Sequence, residues 1–130
     1  MNVVTTCFSE INQQRANNGK AQVQGHSQVE QAATNHNTHM LNNNCFSHQC
    51  SGEPALGERL SRTGYRWGGV GEIIAKGQRN CPSVVQAWMN SQGHKDIILG
   101  NYRHVGCSQL TCSDCADKGP WWTCVFASPL

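Results

Sequence analysis

The stretch that decides the fold is Val85-Gln-Ala-Trp-Met-Asn-Ser-Gln-Gly-His-Lys-Asp-Ile-Ile-Leu99. Its first half extends an apolar face on which Val84, Val85 and Trp88 recur at the spacing of one side of an α-helix. A Ser-Gln-Gly-His turn follows, and His94 leaves the helix there. The stretch therefore predicts a core helix that ends by presenting a histidine from a defined point of the scaffold.

Two further polar residues, His48 and Glu72, lie in tight local signatures upstream of this helix. His48 stands in the segment Cys45–Cys50. Disulfides at both ends restrict this segment, whether the two cysteines bond to each other or to cysteines elsewhere. Glu72 opens the run Glu72–Ala75, which predicts a short buried strand entered from a glycine-rich loop. A carboxylate at such a position needs a partner, because an unpaired buried charge is costly. The glycines ahead of it lack the Gly-x-Gly-x-x-Gly spacing of a dinucleotide site.

The composition is that of one mildly charged domain. With 130 residues the chain is long enough for one hydrophobic core and not for two, so we expect a single domain over residues 1–130. The net charge of +2, with 14% charged residues, is too small for the clustered basic surface that binds nucleic acid. No apolar run approaches the roughly 18 residues of a membrane span. We therefore expect neither a nucleic-acid partner nor a transmembrane segment.

The chain contains eight cysteines: Cys7, Cys45, Cys50, Cys81, Cys107, Cys112, Cys115 and Cys124. An even count in a small domain predicts up to four disulfides, and the alternative is a set of zinc thiolates. A structural zinc site usually needs two Cys-x-x-Cys pairs or a Cys/His set, and the only such pair here is Cys112 and Cys115. That pair lies in a polar connection rather than at a helix start, which favours a structural bridge over a redox motif.

The cysteines also indicate where the protein works. Disulfides form in oxidising compartments, so we expect an extracellular protein. The first residues, Met1–Val4, lack the basic and apolar segments of a signal peptide. The hypothesis is therefore a mature secreted chain, its signal peptide removed, that carries an added initiator methionine.

The hydrophobic pattern places these features on four helices and three strands. Helices are predicted over residues 3–18, from Ser27 to the Asn42–Asn44 triplet, from Glu53-Pro54 to Gly64, and from Pro82 to just before Gly93. Strands are predicted over residues 104–110 and 121–126, besides the short strand at 72–75. Ser27, with Glu30 three residues on, matches a capping box. His36 lies on the inner face of that helix and is expected to be a hydrogen-bonded core or boundary residue.

These residues together resemble the CAP superfamily, also called the SCP domain: the cysteine-rich secretory, antigen-five and plant pathogenesis-related group-one proteins. Residues 46–48, Phe-Ser-His, are similar to the Phe-Ser-His of its compact members. Residues 71–75 are similar to its Gly-Glu-Asn-Ile-Ala, with Ile73 in place of the asparagine. Residues 88–94 are similar to its Trp-x-x-Ser-x-Gly-His signature. The similarities follow the family's order over nearly the whole chain.

The resemblance implies a disulfide-stapled α+β fold, a three-layer α/β/α sandwich with a small antiparallel sheet between helices. It also implies a cleft in which two histidines and up to two acidic residues face one another. His48, Glu72 and His94 take three of these places. Glu58 is the nearest candidate for the fourth, since Met89–Ser91 stands where many members have a second glutamate.

Two neutral imidazoles and a carboxylate match the ligand set of an open zinc site with a vacant position for water. We therefore predict reversible binding of a divalent metal such as Zn²⁺ by His48, Glu72 and His94, a property that the resemblance implies for some members. The alternative is a buried hydrogen-bond network of the same three residues, which would fix the cleft without a metal.

Three functions remain open at this point. The preferred hypothesis is a secreted, non-enzymatic, monomeric protein that binds a sterol or other lipid, or an extracellular partner protein, in host interaction or defence, as the resemblance suggests. The alternative is a metal-dependent, protease-like hydrolase that uses the cleft of His48, Glu72 and His94. An enzyme is less favoured, because no nucleophile stands in a recognisable motif. The third is a structural or cell-surface module with a relic cleft.

Overall fold

The computed structural model describes the backbone of residues 3–130 and the side chains of residues 7–130. In chain order its elements are α1 (Val3–Asn17), β1 (Gln24–Gly25), α2 (Ser27–Asn43), α3 (Leu56–Arg62), β2 (Trp67–Lys76), α4 (Cys81–Met89), α5 (Gln92–Ile98), β3 (His104–Leu110) and β4 (Trp121–Pro129). Met1, and with it the expectation of an added initiator methionine, lies outside the described residues. Among the helices described, none combines the length and hydropathy that a membrane crossing requires.

The strands form one mixed sheet in the order β1-β3-β4-β2. Strands β3, β4 and β2 are antiparallel neighbours, as predicted. Strand β1 adds a short parallel edge, with Gln24 opposite His104 and Gly25 opposite Val105. The sequence analysis missed β1 because two residues are too few to show a strand pattern.

The helices cover both faces of this sheet. Helices α1, α4 and α5 pack on the face to which Trp122, Cys124 and Phe126 of β4 point. Helices α2 and α3 pack on the other face, to which Val125 and Ala127 point. This confirms the alternation predicted for the last strand, because successive residues of a strand face opposite sides. The fold is therefore the predicted α/β/α sandwich of the α+β class.

Strand β2, which carries Glu72, is longer than predicted. It begins at Trp67 instead of Glu72 and pairs with β4 along its length. The glycines that suggested a loop lie inside the strand, where they make room for a neighbour: a Cβ on Gly71 would lie 2.7 Å from Tyr102 Oη. The predicted loop is wrong because these glycines serve packing rather than a turn.

The Ser-Gln-Gly-His segment forms a helix rather than a turn. Ser91 is the N-cap of α5, and the N–H of Lys95 donates to the carbonyl of Ser91 at 2.9 Å. His94 therefore projects from the first turn of a helix. The prediction was wrong because Gly93 suggests a break, although glycine is tolerated in a helix at a cost of about 1 kcal/mol.

Helix α2 begins at Ser27, as predicted, but a different residue caps it. Nδ1 of His26 accepts a hydrogen bond from the N–H of Gln28 at 3.2 Å. The predicted capping box of Ser27 and Glu30 is wrong, because Ser27 already lies inside the helix. At the other end, Asn44 adopts the left-handed conformation that ends the helix within the predicted asparagine triplet.

All eight cysteines are paired in four disulfides: Cys7–Cys81, Cys45–Cys50, Cys107–Cys124 and Cys112–Cys115. This confirms the prediction of disulfides over zinc thiolates. Cys45 and Cys50 bond to each other, so His48 lies in a small closed loop. The Cys-x-x-Cys pair also forms the predicted bridge.

Candidate functional site

The site is centred on Glu72, which β2 directs toward α2 and α3. Its side chain is 1% exposed, and both carboxylate oxygens accept hydrogen bonds. Nδ1 of His48 lies 3.0 Å from Oε1, and Nη1 of Arg59 donates to Oε2 at 2.9 Å. Burial would raise the pKa of Glu72, but the hydrogen bonds from His48 and Arg59 and the nearby positive charge outweigh it and hold the pKa below its ordinary value. The partners that a buried carboxylate needs are therefore present.

A second buried pair, His36 and Glu53, lies behind the first. Nδ1 of His36 lies 2.5 Å from Oε2 of Glu53, and Nε2 lies 2.9 Å from the carbonyl of Ser47. Both ring nitrogens therefore face oxygen atoms. Oε1 of Glu53 accepts from the N–H of Cys50 at 3.0 Å, which ties the pair to the disulfide loop. His36 is thus the hydrogen-bonded core residue that the sequence predicted.

Arg59 connects these groups, and the sequence analysis missed it. Its side chain is 5% exposed. Besides Glu72, its guanidinium donates to the carbonyl of His48 at 2.8 Å and to the carbonyl of Pro54 at 3.0 Å. The signal was its position: Arg59 lies on the inward stripe of α3 with Leu56 and Leu60, at i+3 from Leu56. A charged residue at an inward position of a short helix indicates a buried partner.

The second buried carboxylate of the site is Glu53 rather than Glu58. The Glu58 side chain is 58% exposed and pairs with Arg62 one turn along α3, at 3.2 Å. The sequence predicts Glu53 only as part of a helix start; its role in the site depends on the bonds to His36 and Cys50 described above.

The two predicted cleft histidines differ in environment. His48 is 58% exposed, and its hydrogen bond to Glu72 raises its pKa above the ordinary value, against a smaller effect of burial. His94 has a lowered pKa, because burial and then the positive charge of His48 disfavour its protonation. Nδ1 of His94 is buried without a hydrogen-bond partner. The structure thus brings His48 and Glu72 into contact, and His94 lies near enough to His48 for the charge of His48 to lower its pKa.

Few metal-ligating atoms are free at the predicted metal site. Among the described side chains, no group of three or more His, Cys, Asp or Glu residues is disposed to hold a metal ion. Both oxygens of Glu72 are engaged, and the guanidinium of Arg59 lies where it would repel a cation. As arranged, the residues do not fit a three-ligand zinc site, and metal binding by His48, Glu72 and His94 stays a prediction.

An apolar groove of about 340 Å³ lies beside His94. Its lining is Phe46, Ile74, Ala75, Lys76, Gln78, Ala87, Trp88, Ser91 and His94. Oε1 of Gln78, like Nδ1 of His94, is buried without a hydrogen-bond partner. At the rim, Nζ of Lys76 lies 5.1 Å from the centre of the Phe46 ring and 3.0 Å from Oδ2 of Asp117. The groove therefore combines apolar walls with two unpaired polar atoms.

Over residues 8–126 the chain matches the family described as the Cysteine-rich secretory protein family, CAP. The chain belongs to the CAP family. The resemblance based on the signatures around His48, Glu72 and His94 is confirmed by this match.

Two relatives of this CAP domain come from Bacillus subtilis (strain 168). The uncharacterised protein YkwD is 35% identical over 88 residues, which make up 67% of this chain and 32% of YkwD. The uncharacterised membrane protein YlbC is 31% identical over 93 residues, 71% of this chain and 27% of YlbC. The matches span about a third of the length of these relatives.

Solved structures share the fold of this CAP domain. An extracellular protein containing an SCP domain from Bacillus anthracis has a TM-score of 0.84 at 25% identity, over 96% of this chain and 40% of that one. An outer surface protein from Borrelia burgdorferi has a TM-score of 0.87 at 20% identity, over 97% and 92%. A cysteine-rich secretory protein from Staphylococcus aureus has a TM-score of 0.78 at 17% identity, over 96% and 38%. The last two likenesses show the fold alone.

Proposed function

We propose that this CAP domain is an extracellular, non-enzymatic binding module whose ligand is a sterol or a similar lipid held in the groove beside His94. An extracellular location is supported by the four disulfides, which persist in oxidising compartments. The solved neighbours described above as extracellular, outer-surface and secretory proteins agree with it.

A binding role suits the state of the charged groups better than catalysis does. Glu72 has a lowered pKa and two bonded oxygens, so it is a weak general base. His48 has a raised pKa through the same contact and keeps its proton more firmly. The hydrolase alternative needs both residues free to act on substrate or metal, and their mutual contacts with Arg59 oppose this.

The observation that carries the proposal is the groove itself. Its walls are formed by Phe46, Ile74, Ala75, Ala87 and Trp88, and apolar walls with few polar groups are typical of small-molecule sites. Gln78 lines the groove, and a ligand hydroxyl that donates to its amide oxygen would relieve an unpaired acceptor that costs about 1–3 kcal/mol. An apolar body with one hydroxyl therefore matches the groove, and a partner protein is the alternative occupant.

Titration with a fluorescent sterol, dehydroergosterol, tests the proposal through energy transfer from the tryptophans. We expect saturable binding that Ala87→Trp weakens about tenfold or more, since the indole would fill the groove. Gln86→Trp is the matched control: Gln86 is the exposed neighbour of Ala87 on α4 and is not part of the lining, so its affinity should stay near that of the parent.

The titration is repeated with ZnCl₂ and with EDTA. Binding that is indifferent to both supports a lipid module that works without a metal. Absence of saturable sterol binding, or equal weakening by the two tryptophan variants, would exclude the groove as the lipid site. Proteolysis of an unfolded protein substrate that appears with Zn²⁺ and disappears with EDTA would instead support the hydrolase.

A further inference from the structure

A second pocket, of about 200 Å³, lies where α2 meets α3 and the segment before it. Its lining is Asn35, His39, Glu53, Pro54, Arg59 and Arg62, and we call it the α2–α3 pocket. None of these residues lines the groove beside His94. The pocket is therefore a separate candidate site on the same domain.

The acceptors in this lining are already used. Both oxygens of Glu53 are bonded, to the His36 ring and to the N–H of Cys50. The carbonyl of Pro54 accepts from Nε of Arg59 at 3.0 Å. An incoming ligand therefore finds few free acceptors from these groups.

The remaining hydrogen-bonding groups are donors. Oδ1 of Asn35 accepts from Gln31 at 2.7 Å, which leaves the two N–H groups of its amide to donate. Nε2 of His39 is buried without a hydrogen-bond partner and donates when it carries the ring proton. The guanidinium of Arg62 is 65% exposed and is held only by the surface pair with Glu58, a kind of pair that contributes little.

The charges of the lining are partly compensated. It contains two arginines and one glutamate, and each arginine also pairs with a glutamate outside it, Arg59 with Glu72 and Arg62 with Glu58. The Arg62 pair is exposed and weak, which leaves its guanidinium available to a ligand. A surplus of donors, one of them cationic, is complementary to an oxyanion. We propose that the α2–α3 pocket binds a small oxyanion, a phosphate or carboxylate group, through Arg62, His39 and Asn35.

An anion in this pocket would also affect the cleft. Arg59 lines the pocket and at the same time donates to Glu72, which in turn contacts His48. An anion in the pocket attracts the guanidinium of Arg59 and so weakens its interaction with Glu72. The electrostatic environment of His48, which contacts Glu72, then changes as well. Occupation of the pocket is therefore expected to be visible at His48.

The test is a titration of the full chain with sodium phosphate and, in a second arm, with sodium acetate. Sodium chloride keeps the ionic strength constant, and histidine side-chain NMR signals are followed. We expect a saturable shift of His39 and a smaller shift of His48 on the same curve. Saturation by one ion identifies which oxyanion the pocket takes, and saturation by neither overturns the proposal.

Two arginine variants control for general charge effects. Arg62→Gln should weaken the binding about tenfold, the effect of one charge-assisted contact. Arg79→Gln removes the same charge from an exposed position outside the pocket and should leave the affinity nearly unchanged. Equal weakening by both variants, or a His39 shift that chloride reproduces, would show that no specific site exists. A His48 signal that stays fixed while His39 saturates would refute the coupling through Arg59. No step of this test uses the sterol groove.

Discussion

At the scale of single residues, the site depends on how a buried carboxylate is compensated. Glu72 is approached by His48, by Arg59 and, at 3.5 Å, by His36. Removing one partner of a buried ion pair is far more costly than removing an exposed pair, because the remaining charge stays out of water. The hydrogen bond between His48 and Glu72 contributes both to the lowered pKa of Glu72 and to the raised pKa of His48.

These shifts predict opposite titrations for the two cleft histidines. His48 should titrate above 6.5 and His94 below it, as followed by the ring-proton signals in NMR. In Glu72→Gln the pKa of His48 should fall to 6.5 or below, because the carboxylate that raises it is gone while burial and the charge of Arg59 still lower it. Glu58→Gln, which removes an exposed carboxylate, should change neither. The prediction fails if His48 titrates below 6.5 in the unmodified chain.

The same shifts fix the sign of their effect on stability. His48 favours the folded state below pH 6.5, and this contribution is lost as the pH rises through its raised folded pKa. His94 and Glu72 have lowered pKa values, so their contributions are present above 6.5 and 4.5 and are lost as the pH falls through the folded values. Acid therefore weakens the fold through Glu72 and His94.

At the scale of secondary structure, the close approach of α2 to the sheet positions the site. Gly106 of β3 lies directly under the start of α2, and a Cβ there would overlap the backbone of Glu30. The helix can therefore lie close to the sheet, and His36 is carried into the core two turns later. Glycine is required at this position for packing, because no side chain fits between the two backbones.

We predict that Gly106→Ala destabilises the domain by about 3 kcal/mol or more, since neither backbone can move away cheaply. Unfolding in urea measures the loss. Gly93→Ala is the matched control, because a Cβ at Gly93 meets nothing within 4 Å and alanine favours helix α5, which should stabilise by about 0.5 kcal/mol. Equal and small effects of the two substitutions would contradict the close packing of α2.

At the scale of the whole molecule, the disulfides differ in how much chain they close. Cys7–Cys81 joins α1 to α4 across a separation of 74 residues, whereas Cys112–Cys115 spans 3 residues within one connection. A cross-link stabilises largely by restricting the unfolded chain, and the effect grows with the loop it closes.

Replacing both members of each pair by alanine should therefore have unequal effects. Loss of Cys7–Cys81 is expected to lower the free energy of unfolding by about 4 kcal/mol, and loss of Cys112–Cys115 by about 1.5 kcal/mol. Both are measured by urea unfolding under non-reducing conditions. A larger loss from the short loop would mean that the bridge between Cys112 and Cys115 stabilises the native state by contacts rather than by chain restriction.

Local patterns were enough to predict most elements and part of the site. Helices α2 and α4 follow from hydrophobic periodicity because each buries one regular face, and strands β3 and β4 follow from short apolar runs with an alternating pattern. Strand β1 was missed because two residues show no strand pattern. Strand β2 and helix α5 were given wrong bounds because a glycine suggested a loop or a break. Gly71 instead makes room for Tyr102, which is distant in the sequence, and a Cβ at Gly93 would meet nothing within 4 Å.

The sequence alone was enough to predict the family signatures, the fold class and a buried carboxylate at Glu72 that needs a partner. These features depend on residue types at short spacings. The tertiary structure was needed to show that Arg59 and His36 compensate Glu72, that Glu53 rather than Glu58 is the second buried carboxylate, and that His94 lines a groove. The reason is physical: burial and ion pairing depend on which faces of α2, α3 and β2 meet, and packing sets those faces.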